Sequence, residues 1–391
     1  MPARLLIILI DAIFLTLLVS LFSIGHNFKK GPMRNGCRKW IIHFVYHIAC
    51  SFCLIVAGMR TELRYVNFDY TYYLGPNYRV NQKKIKRTST IVSNHVSWLD
   101  AVVLIKNVRP AFAPSEEFRN VPLLGKLIDS IDSIYIPRGG SEEKRAMALQ
   151  AIGDRQKLIE ETGRFAPFLI FAEGGTTNGT AILKFKKGAF FSERTVRPVL
   201  MNYQYDLFSP AFDIIEALPL VILHLSWACF KCTVNVMPDF QPNDYLFEKH
   251  KDKGEERWEI YAWAVRDAMM KAGRLQQCDI PLRQKIQYES YMQRRRDALL
   301  DDLTLLIKDV AAPDSENDMT DEEDAPIKQD LSTAYNPLRS DQPRSKTRSH
   351  RLYESSGDQE LALRPSNLKN EYVSINSENP GDLQAPLLYA M

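Results

Sequence analysis

Two short stretches carry the residue types of proton-transfer chemistry. Asn94-His95-Val96-Ser97-Trp98-Leu99-Asp100 sets a histidine and a carboxylate five residues apart. Phe171-Ala172-Glu173-Gly174-Gly175-Thr176-Thr177-Asn178-Gly179 sets a glutamate on a glycine-rich turn. An imidazole titrates near neutrality and can take a proton from a hydroxyl. A carboxylate on its other ring nitrogen fixes the tautomer and stabilises the imidazolium. On one continuous helix, five residues at about 100° each would leave the two side chains about 140° apart. The pair can meet only if His95 precedes the helix and Asp100 lies in its first turn. The sequence allows this, with Asn94 ending a strand and Ser97 as N-cap. The same residues also read as a plain helix start, because Ser97-x-x-Asp100 is a capping-box variant with Asp in place of Glu. Gly174 and Gly175 would let the backbone approach an oxyanion or phosphate, or simply form a turn.

Alternating elements are expected to position these groups. Thr90-Ile91-Val92, Ser133 to Ile136, Phe168 to Phe171 and Val199 to Met201 read as strands. Leu99 to Lys106, Glu142 to Glu161, Glu255 to Ala272 and Leu282 to Ile307 read as helices. Strands separated by helices predict an α/β fold with a mostly parallel central sheet flanked by helices. Both motifs then fall at strand C-termini, where such sheets place their sites. Leu218 to Phe230 is a third apolar patch, read as core or as a membrane-facing surface.

The 50 basic and 47 acidic residues leave a formal charge of +3, which argues against a dedicated nucleic-acid binder. Leu5 to Ile24 has the length of a bilayer span, broken only by Asp11. A cleaved signal peptide is the competing reading. Trp40 to Ala57 is a second apolar stretch, and the linker between them carries Lys29, Lys30, Arg34, Arg38 and Lys39. A re-entrant or monotopic hairpin with a cytosolic linker fits this pattern. Cys50/Cys53 and Cys229/Cys232 have CxxC spacing, open to zinc or redox chemistry, but each lies in an apolar run and suits buried free thiols. Seven of the eleven residues from Asp314 to Asp324 are acidic, and the polar chain beyond predicts a disordered tail. The expected division is a membrane-anchoring region at 1–60, an α/β domain at 61–275, a helical extension at 276–310 and the tail at 311–391.

The two motifs, with the basic run Lys184-Phe185-Lys186-Lys187-Gly188, resemble the glycerolipid acyltransferase family across Thr88 to Tyr203, and Arg138 and Val196-Arg197-Pro198-Val199 match further blocks of it. The resemblance implies transfer of an acyl chain from acyl-CoA to a lysophospholipid hydroxyl, with acyl-CoA as co-substrate and neither cofactor nor metal. It makes His95 the general base and Asp100 its partner. It gives Arg138, Glu173, Gly174, Gly175 and Thr176 to the acceptor and its phosphate. Lys184, Lys186 and Lys187 could hold CoA or lipid phosphate, or form a solvated face. The implied setting is the endoplasmic reticulum membrane, with the site on the cytosolic side. Thr176-Thr177-Asn178-Gly179 is closer to the lysophospholipid branch than to the lysophosphatidate one. Family members usually carry proline at the position of Ala172, threonine at that of Gly175 and lysine at that of Glu116. Other readings are a lysophosphatidate or glycerol 3-phosphate acceptor, an inactive lipid or acyl-CoA binder, and a membrane scaffold working through its tail.

Overall fold

A computed structural model describes residues 2–311, apart from 29–30, 34–35, 84, 86, 122, 137–140, 212–214, 216, 227–229 and 281. The chain divides into two units, Met1–Ile307 and Lys308–Ala390. Of the second, only the helical residues 308–311 are described, so the expected tail lies outside the described residues except for Ala311, the last residue of a helix.

Two apolar helices open the chain, α1 (Pro2–Phe22) and α2 (Cys37–Val56). Each is long and apolar enough to cross a membrane, by length and composition. They pack together through Leu15 and Val19 of α1 and Ile42, Tyr46, Ala49 and Cys50 of α2. Their other faces, from Leu6 to Leu21 and from Trp40 to Ile55, expose large apolar side chains. α2 is also fastened to the rest of the fold by polar side chains. The Lys39 ammonium meets the buried Asp132 carboxylate at 2.8 Å. Tyr46 donates to the Leu127 carbonyl at 2.8 Å, and His47 Nδ1 lies 3.1 Å from the Lys106 carbonyl.

Beyond β1 (Met59–Tyr65) come the short helices α3 (Thr71–Leu74) and α4 (Tyr78–Gln82), then β2 (Thr90–Ser93), α5 (Asp100–Val108), α6 (Leu124–Ser130) and α7 (Glu142–Thr162). β3 (Phe168–Phe171), β4 (Ala181–Ile182), β5 (Val196–Tyr205), α8 (Ala217–Ser226) and β6 (Phe230–Val236) follow. The described part closes with α9 (Asp244–Lys249), α10 (Arg257–Gly273), β7 (Gln276–Gln277) and α11 (Leu282–Ala311).

The main sheet has the order β1-β6-β5-β2-β3. All neighbours are parallel except β5 and β6. β2 is buried at every position, as a central strand covered on both faces must be. Its alternating residues serve two cores. Val92 joins Leu200 of β5 and Val265 and Met269 of α10 on one face. Ile91 joins Val199 and Met201, with Leu104 of α5 and Leu54 of α2, on the other. The expected mostly parallel α/β sheet is therefore present.

Three local readings change. Ser133 to Ile136 is not a strand of the sheet; only Ile136 makes an isolated bridge, to Ser115. Its carbonyl partners, Phe112 and Pro114, belong to a loop, so the segment remains an extended edge ribbon. The apolar patch 218–230 splits into α8, which exposes Leu218, Ile222 and Leu223 and buries Leu220, His224 and Leu225, and the start of β6. α5 begins at Asp100 with Leu99 as its N-cap, not Ser97. Ser97 instead works in the turn before the helix, where its Oγ accepts from the Leu99 N–H at 3.3 Å.

Candidate active site

Parallel pairing sets the C-terminal ends of β2 and β3, Ser93 and Phe171, side by side, with Ser93 opposite Val199 of the longer β5. Asn94 follows β2 there and extends the ladder with its side chain. Its Nδ2 donates to the Met201 carbonyl at 2.9 Å, and its Oδ1 accepts from the Met201 N–H at 2.8 Å. That double bond fixes where His95 leaves the sheet.

The second motif then grips the backbone of His95 from both sides. The His95 N–H donates to Glu173 Oε1 at 3.1 Å, and the His95 carbonyl accepts from the Thr177 N–H at 2.8 Å. The other Glu173 oxygen accepts from the Leu183 N–H at 2.9 Å. Glu173 is fully buried. Burial raises its carboxyl to about 7, against the opposing pull of its two backbone donors, Arg266 and Lys285. Glu173 thus lies under the motif as a clamp. Gly174, at φ +77°, is the exposed residue of the turn, and the Lys186 side chain lies against it.

Asp100 is the best-provided group at the site. Its Oδ2 lies 2.7 Å from His95 Nδ1 and accepts from the Val96 and Ser97 N–H groups at 2.6 and 3.0 Å. Its Oδ1 accepts from the Tyr203 hydroxyl. Helix start and histidine partner, the two readings of Asp100, hold together: the carboxylate that ties down the turn also holds the ring. With Asp100 ionised, Nδ1 carries the ring proton and Nε2 faces away with a free lone pair. The imidazole stacks on Phe171 at 4.0 Å between centroids and 13° between planes. Its side chain is 27% exposed, against 0% for Asp100.

A third support comes from α8. Trp98 Nε1 donates to His224 Nδ1 at 2.7 Å. Burial lowers the pKa of His224, keeping it neutral and able to accept. The loop between His95 and Asp100 is thereby pinned to an apolar helix that shares its rim.

The lysine block is divided. Lys186 reaches Gly174, whereas Lys187 pairs with Glu256 at 3.0 Å and lies over the Trp258 ring. Lys184 lines a separate cleft of about 710 Å³ with Trp258, Trp263 and Arg266. Gly175 and Thr176 are half-buried beside the turn. Arg138 lies outside the described residues, as does Cys229. Cys50 and Cys232 are buried free thiols and Cys53 is half-buried. Among the described residues no three His, Cys, Asp or Glu side chains gather as a metal site.

Sequence reasoning missed Tyr203, Phe171, Thr177 and His224. Tyr203 had a legible signal: with Val199 and Met201 it shares one face of β5 by the two-residue period, and that face looks toward α5.

A mostly parallel α/β layer with a histidine held by a buried carboxylate at its C-terminal rim defines the class of protein. Residues 77–202 match the sequence model of the acyltransferase family. It is 28% identical over 256 residues to a lysophosphatidylcholine acyltransferase of Drosophila melanogaster, covering 65% of this chain and 43% of that protein. It is also 28% identical over 205 residues to a lysophospholipid acyltransferase of Arabidopsis thaliana, covering 52% and 50%. Against lysophosphatidylcholine acyltransferase 1 of Homo sapiens it is 26% identical over 180 residues, covering 46% and 31%. The matched region spans half or less of each relative's length.

Proposed function

We propose that this chain is an acyl-CoA-dependent O-acyltransferase whose acceptor is a lysophospholipid. The observation that carries this reading is the 2.7 Å contact of His95 Nδ1 with the fully buried Asp100. His95 Nε2 takes the proton of the acceptor hydroxyl as its oxygen attacks the thioester carbonyl. Asp100 stabilises the imidazolium as it forms. The tetrahedral intermediate then expels the CoA thiolate, which receives the proton from His95. An ester and free CoA result, and the histidine is restored. The relatives support the acceptor class, since their names specify lysophospholipids.

The setting we propose is a bilayer surface, with the exposed apolar faces of α1, α2 and α8 against lipid. Acceptor and acyl chain both partition there. Lys186, over Gly174, is the basic side chain best placed for an acceptor phosphate.

The test follows CoA thiol release by the detergent-solubilised full chain, given oleoyl-CoA and a panel of lysophospholipids. His95→Ala should lower the acceptor-dependent rate by about 10²- to 10⁴-fold. Acyl-CoA binding with no acceptor-stimulated release in the wild type would refute the enzyme reading and favour a lipid-binding one.

A further inference from the structure

α11 begins at Leu282, far beyond the segment shared with the acyltransferase family. Its first turns nevertheless return to the catalytic turn. β7 pairs in parallel with β4, the short strand just past Gly179. The Gln276 N–H donates to the Thr180 carbonyl at 3.1 Å and the Cys278 N–H to the Ile182 carbonyl at 3.4 Å. Arg266, on α10, is buried and ties the same crossing. It donates to the Ile182 carbonyl at 2.8 Å, to the Cys278 carbonyl at 2.7 Å and to the Asp279 carboxylate at 2.8 Å.

This stitching delivers Leu282 onto Gly175. A Cβ placed on Gly175 would stand 3.0 Å from Leu282 Cδ1. Gly175 is not among the positive-φ glycines, so its backbone does not demand glycine. Leu282 occupies the space that a side chain there would need. Leu282, Lys285 and Glu289 are half-buried while the residues between them are exposed. At i, i+3 and i+7 they form one helix face. Lys285 pairs with Glu289, and its charge acts on Glu173. One face of α11 therefore rests on the Glu173–Gly175 turn.

We propose that Leu282 is a specificity-determining residue: it forms the wall over the catalytic turn on the acceptor side and limits the size of the head group admitted. This rests on the acyl-transfer reading above. The space beside the bare Gly175 is filled from a distant helix, so the C-terminal extension covers part of a turn that the family segment alone leaves bare.

The experiment compares kcat/KM of the full chain and of Leu282→Ala on lysophosphatidate, lysophosphatidylethanolamine and lysophosphatidylcholine, with oleoyl-CoA fixed. Leu282→Ala should raise the choline-to-phosphatidate ratio by on the order of tenfold, the usual reach of a small change in pocket volume. Gly175→Ala adds a methyl group to the same wall, against Leu282, and should lower the ratio. Gly175→Ala/Leu282→Ala should return to the ratio of Leu282→Ala alone. An active wild type with the ratio unchanged in Leu282→Ala overturns the proposal, as does an equal loss on all three acceptors. No transfer by the wild type to any acceptor refutes the functional reading, and the proposal falls with it.

Discussion

Tyr203 donates its hydroxyl to the one oxygen of Asp100 that His95 does not use. The phenol is buried, and that burial pushes its pKa well above the ordinary value, so it remains a donor throughout the working range. Both carboxylate oxygens are thus committed, and the orientation of Asp100 is fixed before any substrate arrives.

Tyr203→Phe removes that donor and leaves Asp100 Oδ1 buried beside the Cys232 thiol. With that donor gone, the carboxylate loses the contact that fixes its orientation toward His95 Nδ1. The kcat should fall by about tenfold, the equivalent of one hydrogen bond to a charged group, with the acceptor KM held. Steady-state kinetics check this. A lowered thermal midpoint with kcat unmoved would reduce Tyr203 to packing.

Glu173 makes stability depend on pH in an unusual direction for a carboxylate. Its folded value of about 7 lies above the ordinary 4.5, so the folded state holds the proton longer than the unfolded chain. Stability is full below pH 4.5 and is lost as pH rises through about 7. The loss is on the order of 3 kcal/mol. Glu173→Gln carries no such titration. Thermal midpoints followed by tryptophan fluorescence should fall across this window in the wild type and stay level in the variant.

Lys39→Met leaves Asp132 charged and buried without its partner. The expected cost is about 3–5 kcal/mol, read by chemical denaturation in detergent. Lys39→Met/Asp132→Asn should recover most of it, because the uncompensated charge is then gone. Asn also tolerates the φ of +61° at position 132. A single variant as stable as the wild type would mean that the pair does not fasten α2.

Much of the site could be read from the chain because it depends on short-range rules. His95 and Asp100 meet through one turn, and Glu173 follows one buried strand, so period and spacing located them. Groups arriving from elsewhere left no comparable trace. His224 reaches Trp98 from 126 residues away, and Leu282 reaches Gly175 from beyond three further helices. The glycine at 175 looked like a departure from the family pattern, and the side chain packed against it, Leu282, lies in α11. The role of Glu173 was legible only in part. Its position is at the expected rim, but both its oxygens bond backbone N–H groups, a detail set by how the turn closes. Ser133 to Ile136 had the composition of a strand and lacked a strand beside it.

The strand polarity places the end of α2 at the same edge of the sheet as the site. Met59, Phe230 and Tyr205 lie side by side in register, six residues along β5 from Val199, the partner of Ser93, and only Ala57 and Gly58 separate Met59 from α2. A two-residue joint has no slack. With Lys39, Tyr46 and His47 gripping the helix along its length, the apolar pair acts as a mount rather than a leash. The height and tilt of the histidine above any apolar plane on which α1 and α2 rest are set by side-chain contacts, so lengthening the joint at 57–58 would work like a shim under an instrument.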